Sequence, residues 1–407
     1  MFSVIYGIAL LLFSLLVVRR YRTAVNPFTM FVVFYAVQTL LSPFLTDTLK
    51  DAQTTLAFSF LYLVAVSFSF LFRWSPFYTL LNWGCNQLLP HQPHINSTTY
   101  IVLAVQFVVL FLLLIAASGT TDWLTSPRTA YQNNRAGVGV FWALCQSTII
   151  VGLAIFLVRK ERGKFATLLA CFLCAGVAYF LGSKGFMLGF FVLAAFYYHH
   201  VVKQISRSMM LLGVFLFLAV HISLQFIYGT AIDIFGAIAY FDYFQNTVLF
   251  LENFDSYFSH SYGNTLLSTL WQYIPRGLYS DKPFAYGQAI IMEAFNPGAA
   301  ALGHTPATLP WAAMYLDFGV FGIIIDGLMI GLVSKGAFDL FRSRKDVPSI
   351  LVFWQIGLMG FSQTFYSAPF PVFWLWLLVQ ILILRFAQIL HSSITLRIRH
   401  TSQPIIV

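Results

Sequence analysis

"TYIVLAVQFVVLFLLLIAAS", residues 99–118, runs for twenty residues without a charged side chain. The hydrocarbon core of a bilayer is about 30 Å thick, and roughly 20 apolar residues of helix are needed to cross it. The stretch therefore reads as a spanning helix. Similar runs lie near 2–18, 28–45, 53–72, 138–158, 165–181, 185–201, 209–228, 311–334, 348–366 and 371–390. Together they make about eleven spans, each long enough by the same rule.

Composition agrees with that reading: 59% of the residues are hydrophobic, 9% are charged, and the mean hydropathy is +0.79, far outside the range of a soluble globular chain. A transmembrane barrel would show short strands of alternating polarity, whereas these runs are apolar on every side. An all-α polytopic membrane protein is the expected fold, with residues 1–407 as a single integral membrane domain and no appended soluble domain. The first run has no basic residues ahead of it and no small-residue cleavage site, so it is expected to be a retained helix.

Orientation follows from the basic residues between the spans, because short loops rich in Lys and Arg stay in the cytoplasm. If Arg19, Arg20 and Arg22 are inside, strict alternation puts 17 of the 23 basic residues inside and leaves Lys50, Arg128, Arg135, Lys184, Arg276 and Lys282 facing out. The net charge of +9 is then mostly topology. No basic patch is interleaved with aromatics, so nucleic acid is not expected as a partner.

The same alternation places the one large loop, residues 229–310, on the outer face. It holds most of the outward acids, Asp233, Asp242, Glu252, Asp255, Asp281 and Glu293, together with His260 and His304. Prolines at 275, 283, 297, 306 and 310 predict short helices and ordered loop in its later part.

Outward cations oppose the positive-inside bias, so something must compensate for them. Lys50 has Asp47 and Asp51 beside it. Arg128 and Arg135 lie in "SPRTAYQNNRAGVG", expected as the loop between the fourth and fifth spans. Lys184 lies in the hairpin "FLGSKGFMLG", where Gly182 and Gly185 allow a tight turn and the close approach of a ligand. With Arg276 and Lys282 in "QYIPRGLYSDKPFAYGQ", residues 272–288, about five positive charges converge from three loops, and an anionic ligand is their natural complement. The alternative is that each cation pairs with a loop acid or with a lipid phosphate.

An outer face has no nucleotide sugar, so an enzyme there needs a substrate carrying its own leaving group, such as a polyprenyl-pyrophosphate glycan. The "SKG" hairpin, "YIPRGLYSDKPFAYG", "HTPATLPWAAMYLDFGVFG" and the single large outer loop resemble the Wzy-type polymerases of bacterial O-antigen and capsule assembly, from about residue 128 to residue 331. The resemblance implies a metal-independent, GT-C-like glycosyltransferase of the bacterial inner membrane, without a cofactor. It implies transfer of a growing glycan from undecaprenyl pyrophosphate to the terminal sugar of an incoming lipid-linked repeat unit at the periplasmic face. Membrane lipid and a chain-length regulator would be its other partners.

For such a reaction, Arg276, Lys184, Arg128, Arg135 and Lys282 are the expected pyrophosphate ligands, because departing pyrophosphate needs charge stabilisation more than a proton. The acceptor hydroxyl needs a base, and His304, just ahead of the ninth span, is best placed by sequence. Glu252, Asp255, Asp281 and Glu293 are its rivals. Asp281 is also expected to hold Arg276 or Lys282, Asp317 to orient an Arg from below, and Tyr273 and Tyr279 to support the same stretch. A helix cap beginning near Pro310 is the plainer role for His304.

Other features are read as structural. Cys171 and Cys174 lie inside one span, where packing explains them better than redox or zinc chemistry. His199 and His200 end the seventh span on the inner side, and Asp326 serves either a polar pathway or a bond to a neighbouring helix. Two further functions share the layout: an O-antigen ligase, with the same donor and another acceptor, and a lipid or polysaccharide flippase. A flippase would more often show internal repeats with paired broken helices, and the two halves here differ in loop length.

Overall fold

The structure, a computed structural model, describes residues 2–45, 47, 52–73, 75–88, 97–159, 163–227, 243–274, 279–301, 308–358, 377–386 and 389. Those residues are helical or irregular, without a strand. In chain order the helices are α1 (Phe2–Tyr21), α2 (Pro27–Ala36), α3 (Ser42–Leu45), α4 (Gln53–Leu71), α5 (Pro76–Leu88), α6 (Ser97–Ser118), α7 (Asp122–Thr125) and α8 (Pro127–Val158). They continue with α9 (Lys164–Tyr179), α10 (Lys184–Tyr197), α11 (Arg207–Ile227), α12 (Tyr243–Glu252), α13 (Phe254–Tyr257), α14 (Asn264–Ser268), α15 (Ala289–Phe295), α16 (Ala312–Arg344) and α17 (Val347–Val352). A last apolar helix, α18, covers Leu377–Phe386.

Seven of the described helical runs are long and apolar enough to cross a membrane, by length and composition: Ser3–Tyr21, Pro27–Leu45, Gln53–Leu71, Thr99–Ser118, Val138–Val158, Gly185–Val202 and Ala312–Arg344. Phe165–Tyr179, Val347–Leu358 and Leu377–Phe386 are apolar but shorter. The chain is thus an all-helical, polytopic membrane protein by its described part. On α6 the apolar side chains of Ile101, Val105, Val108 and Leu112 are more than half exposed, as a surface bathed in lipid requires.

At the centre lies α16, packed along α4, α5 and the π-helical turn Phe353–Leu358. Lipid tails are as apolar as leucine, so helices in a bilayer gain most from close backbone approach. Gly327 and Gly331, four residues apart, supply it. A Cβ on Gly327 would lie 2.7 Å from Ala65 Cβ and 3.0 Å from the Tyr62 carbonyl, and one on Gly331 would lie 2.9 Å from the Val66 carbonyl. Through this seam Ser69 donates a hydrogen bond to the Leu328 carbonyl at 2.9 Å. Asp326 on the same helix is 3% exposed.

Two elements depart from the sequence reading. The residues around Arg128 and Arg135, expected as loop, form the start of α8. Pro127 occupies its first turn, where a fixed φ suits a helix, and Val138 (φ −123°, ψ 16°) separates this segment from the apolar span. The second is α16, which runs ten residues past its expected end at 334. Lys335 and Asp339 pair one turn apart at 4.0 Å, and Arg342 and Arg344 in the last turn complement the helix dipole.

Candidate functional site

The N-terminal part of α16 is broken at Gly319, whose φ of 60° and ψ of −147° fall where only glycine rests without strain. A break frees carbonyls that would otherwise bond within the helix. The loop before α14 takes them: Ser261 N–H donates to the Leu316 carbonyl and Tyr262 N–H to that of Asp317, both at 3.1 Å. Space is tight here as well, since a Cβ would stand 3.3 Å from His260 Cε1. The His260 ring lies half-buried between Phe254 and Tyr315, with Nδ1 3.3 Å from the Leu316 carbonyl.

Asp317, 1% exposed, is the hinge of this arrangement. Its carboxylate accepts the Ser261 hydroxyl and the backbone N–H groups of Thr265 and Leu266, the last two at 3.0 Å each. Those amides belong to the first turn of α14, where N–H groups have no partner within the helix. A carboxylate on α16 therefore caps a helix of the segment between α11 and α16. The sequence reading gave Asp317 an Arg to orient; among the described residues its bonds go to Ser261 and to α14.

From α14 the chain passes into a 3-10 turn, Thr269–Tyr273, which packs on α8. Trp271 in this turn stacks on the half-exposed Tyr279, with centroids 5.4 Å apart and planes 19° from parallel. Lys282, expected among the anion ligands, is only 4% exposed. Its ammonium donates to the Ile274 carbonyl at 3.0 Å and lies 5.1 Å from the centre of the Tyr286 ring. A buried ammonium needs such partners, and these ones tie together the described residues on either side of 275–278. Further on, Gly287 N–H donates to Ser268 Oγ at 2.7 Å. Asp281 is exposed and accepts the Ser280 hydroxyl at 3.1 Å.

The hairpin around Gly182 also docks on α8. Gly182 has φ +66°, and a Cβ there would lie 2.7 Å from Tyr131 Cβ. Arg128 Nη1 donates to the Gly182 carbonyl at 3.3 Å, its guanidinium lies 5.3 Å from the Tyr131 ring centre, and Trp142 Nε1 donates to the Leu181 carbonyl at 2.8 Å. By backbone, Lys184 begins α10, Arg135 lies in α8 ahead of Val138, and Tyr273 ends the 3-10 turn. One helix, α8, thus seats both the "SKG" hairpin and the turn that leads to Arg276.

Arg276 and His304 lie outside the described residues. Beyond the stretch holding His304, Leu309 N–H donates to Thr247 Oγ1 of α12 at 2.8 Å, and Gln288 donates to the Thr308 hydroxyl. Among the carboxylates proposed as bases, Glu252 ends α12 exposed and Asp255 is exposed on α13. Glu293 is engaged: Gly298 N–H at 2.6 Å and Ala300 N–H at 2.9 Å donate to its two oxygens and hold its carboxyl below the ordinary range. Among the described residues no three His, Cys, Asp or Glu gather as a metal site would require. Sequence reasoning missed the helix break and the Trp271–Tyr279 stack. The signal for the first was present in "LDFG", a carboxylate and a glycine inside an apolar helix.

No family model and no solved structure matches the chain. Among curated proteins it is similar to the O-antigen polymerases of Salmonella typhimurium (strain LT2) and Salmonella typhi, each 24% identical over 309 residues, which cover 73% of this chain and 72% of the relative. These homologues support the resemblance read from the sequence, that of a Wzy-type O-antigen polymerase.

Proposed function

We propose that the protein is a repeat-unit polymerase, a membrane glycosyltransferase acting at the periplasmic face of a bacterial inner membrane. On this reading the chain crosses about eleven times, each span by the roughly 20-residue rule, with residues 229–310 outside. The growing glycan passes from undecaprenyl pyrophosphate to the terminal sugar of an incoming undecaprenyl-pyrophosphate-linked unit. The similarity to O-antigen polymerases along 73% of the chain carries this reading. The seating of two cation-bearing segments on α8 supports the location of the site.

In the reaction an acceptor hydroxyl attacks the anomeric carbon of the donor while the bond from that carbon to the pyrophosphate oxygen breaks. The electron pair leaves with pyrophosphate, and the hydroxyl proton goes to a base. Arg276, Arg128, Lys184 and Arg135 stabilise the leaving group, in a site where preorganised charge is worth more than in water. Because that role is electrostatic and the leaving group is already ionised, the proposed chemistry needs no metal. His304 is the proposed base, with Glu252 and Asp281 as alternatives. Asp317 and Lys282 act by position: one fixes α14 to α16, the other closes the segment bearing Arg276. The name of the relatives favours a polymerase over a ligase using the same donor, or a flippase.

The test is made with purified protein and a synthetic undecaprenyl-pyrophosphate repeat unit, following glycan length on a gel with a chelator present. A ladder from wild type, lost in Arg276→Ala and His304→Ala, is the expected result. A single transfer to a lipid A-type acceptor without a ladder would identify a ligase, and no transfer with any repeat unit would overturn the enzyme reading.

A further inference from the structure

At the end of α16 opposite Asp317, about 40 Å away along the helix at 1.5 Å per residue, a second group of cations surrounds a cavity. The cavity has a volume of about 470 Å³, the size of a small-ligand site, and Arg22, Lys203, Arg342 and Lys345 line it. No acidic residue is among its lining residues. Two carboxylates neighbour the lining residues in the chain, and both have other cations: Asp339, one turn before Arg342, interacts with it and is shared with Lys335 at 4.0 Å, and Asp346, next to Lys345, pairs with Arg344 at 2.7 Å.

The two histidines in the wall are already committed. His199 Nδ1 accepts the Ile205 N–H at 3.1 Å, so Nε2 carries the hydrogen and donates to Thr23 Oγ1 at 2.8 Å. His200 Nε2 donates to the Val25 carbonyl at 2.8 Å. These bonds staple the link between α1 and α2 to the end of α10 and give the cavity a fixed wall. Arg22 and Lys345 both adopt left-handed backbone, with φ of 56° and 58°, at helix C-caps where glycine rests more easily. Helix dipoles favour cations at both places, yet four like charges around one open cavity repel each other and leave it electrostatically unfilled.

We propose that this cavity is an anion site for a phosphate group, distinct from the site at the outer end of α16. The group belongs either to the headgroup of an anionic lipid or to free phosphate. Val202 on its rim is 58% exposed, which offers an acyl chain an apolar path beside the headgroup. The proposal is independent of the polymerase reading, since it uses only the cations and cavity at this end.

The experiment is native mass spectrometry of the full chain in neutral detergent, titrated with phosphatidylglycerol, with phosphatidylcholine and with inorganic phosphate. Wild type is expected to bind phosphatidylglycerol over phosphatidylcholine. A Lys203→Gln/Lys345→Gln variant is expected to bind it about 30-fold more weakly, each cation near a membrane surface being worth about fivefold. An Arg19→Gln/Arg73→Gln control, which removes the same charge from exposed positions outside the cavity, is expected to bind as wild type does. Restoration by Lys203→Arg/Lys345→Arg separates charge from folding. Displacement of the lipid by millimolar inorganic phosphate, against chloride at equal ionic strength, identifies the phosphate group alone as the ligand; persistence of the lipid identifies the whole headgroup and chain. Equal weakening in the control, or no preference of wild type for the anionic lipid or for phosphate, overturns the proposal.

Discussion

Replacing Asp317 by Ala tests whether a carboxylate on α16 holds α14 in place. In the structure it accepts three bonds, from the Ser261 hydroxyl and from two amides of α14, at 1% exposure. The hydroxyl can turn to Thr265 Oγ1, 2.9 Å away, whereas the two backbone N–H groups sit in the first turn of α14, where no carbonyl one turn back is available within the helix. Each buried donor left unsatisfied costs about 1–3 kcal/mol, and partial access of water to the loop favours the lower end. A loss of about 2 kcal/mol in the local stability of α14 follows for the pair, equivalent to roughly 30-fold more frequent opening. Hydrogen exchange read at Thr265 and Leu266 measures this directly, with Leu63 and Val66 on α4 as unaffected references. Asp317→Asn, which keeps one carbonyl oxygen, should fall between wild type and Ala. Unchanged exchange at Thr265 and Leu266 in Asp317→Ala would refute the capping role.

Gly331→Leu should separate α16 from α4 and lower stability by about 3 kcal/mol, the upper range for overpacking, whereas Gly213→Ala, with open space around it, should be neutral or slightly stabilising; thermal unfolding in detergent compares them. Lys282→Met removes the donor to the Ile274 carbonyl and should speed tryptic cleavage at Arg276 several-fold, with a raised donor KM; equal cleavage rates would mean the bond does not close this segment. Glu293 gives a pH dependence whose sign is fixed by its lowered carboxyl. Its hold on Gly298 and Ala300 is complete above the ordinary glutamate range and fades as pH falls through the lower folded value, so amide protection at these two residues should drop on acidification in wild type. Glu293→Gln should show the low-protection state at every pH.

The spanning segments were legible in the sequence because a bilayer sets a length and a polarity that a twenty-residue run such as 99–118 either meets or fails. The sequence also singles out Lys50, Arg128, Arg135, Lys184, Arg276 and Lys282 as expected outward cations, because alternation would set them against a strong bias. Local sequence could not assign partners. Lys282 and Arg128 carry the same charge in the sequence, yet one is buried against Ile274 and Tyr286 while the other reaches Gly182, fifty-four residues away. Asp317 likewise finds its donors in α14, over fifty residues earlier, and only because Gly319 opens the helix beside it. The basic cavity between α1, α10 and α16 combines residues 22, 203, 342 and 345, which the sequence sorts to one side of the membrane and only folding brings around one space. Side of the membrane is a property of each loop taken alone; partnership requires two distant segments to meet, and the tertiary packing of α4, α8 and α16 decides which do.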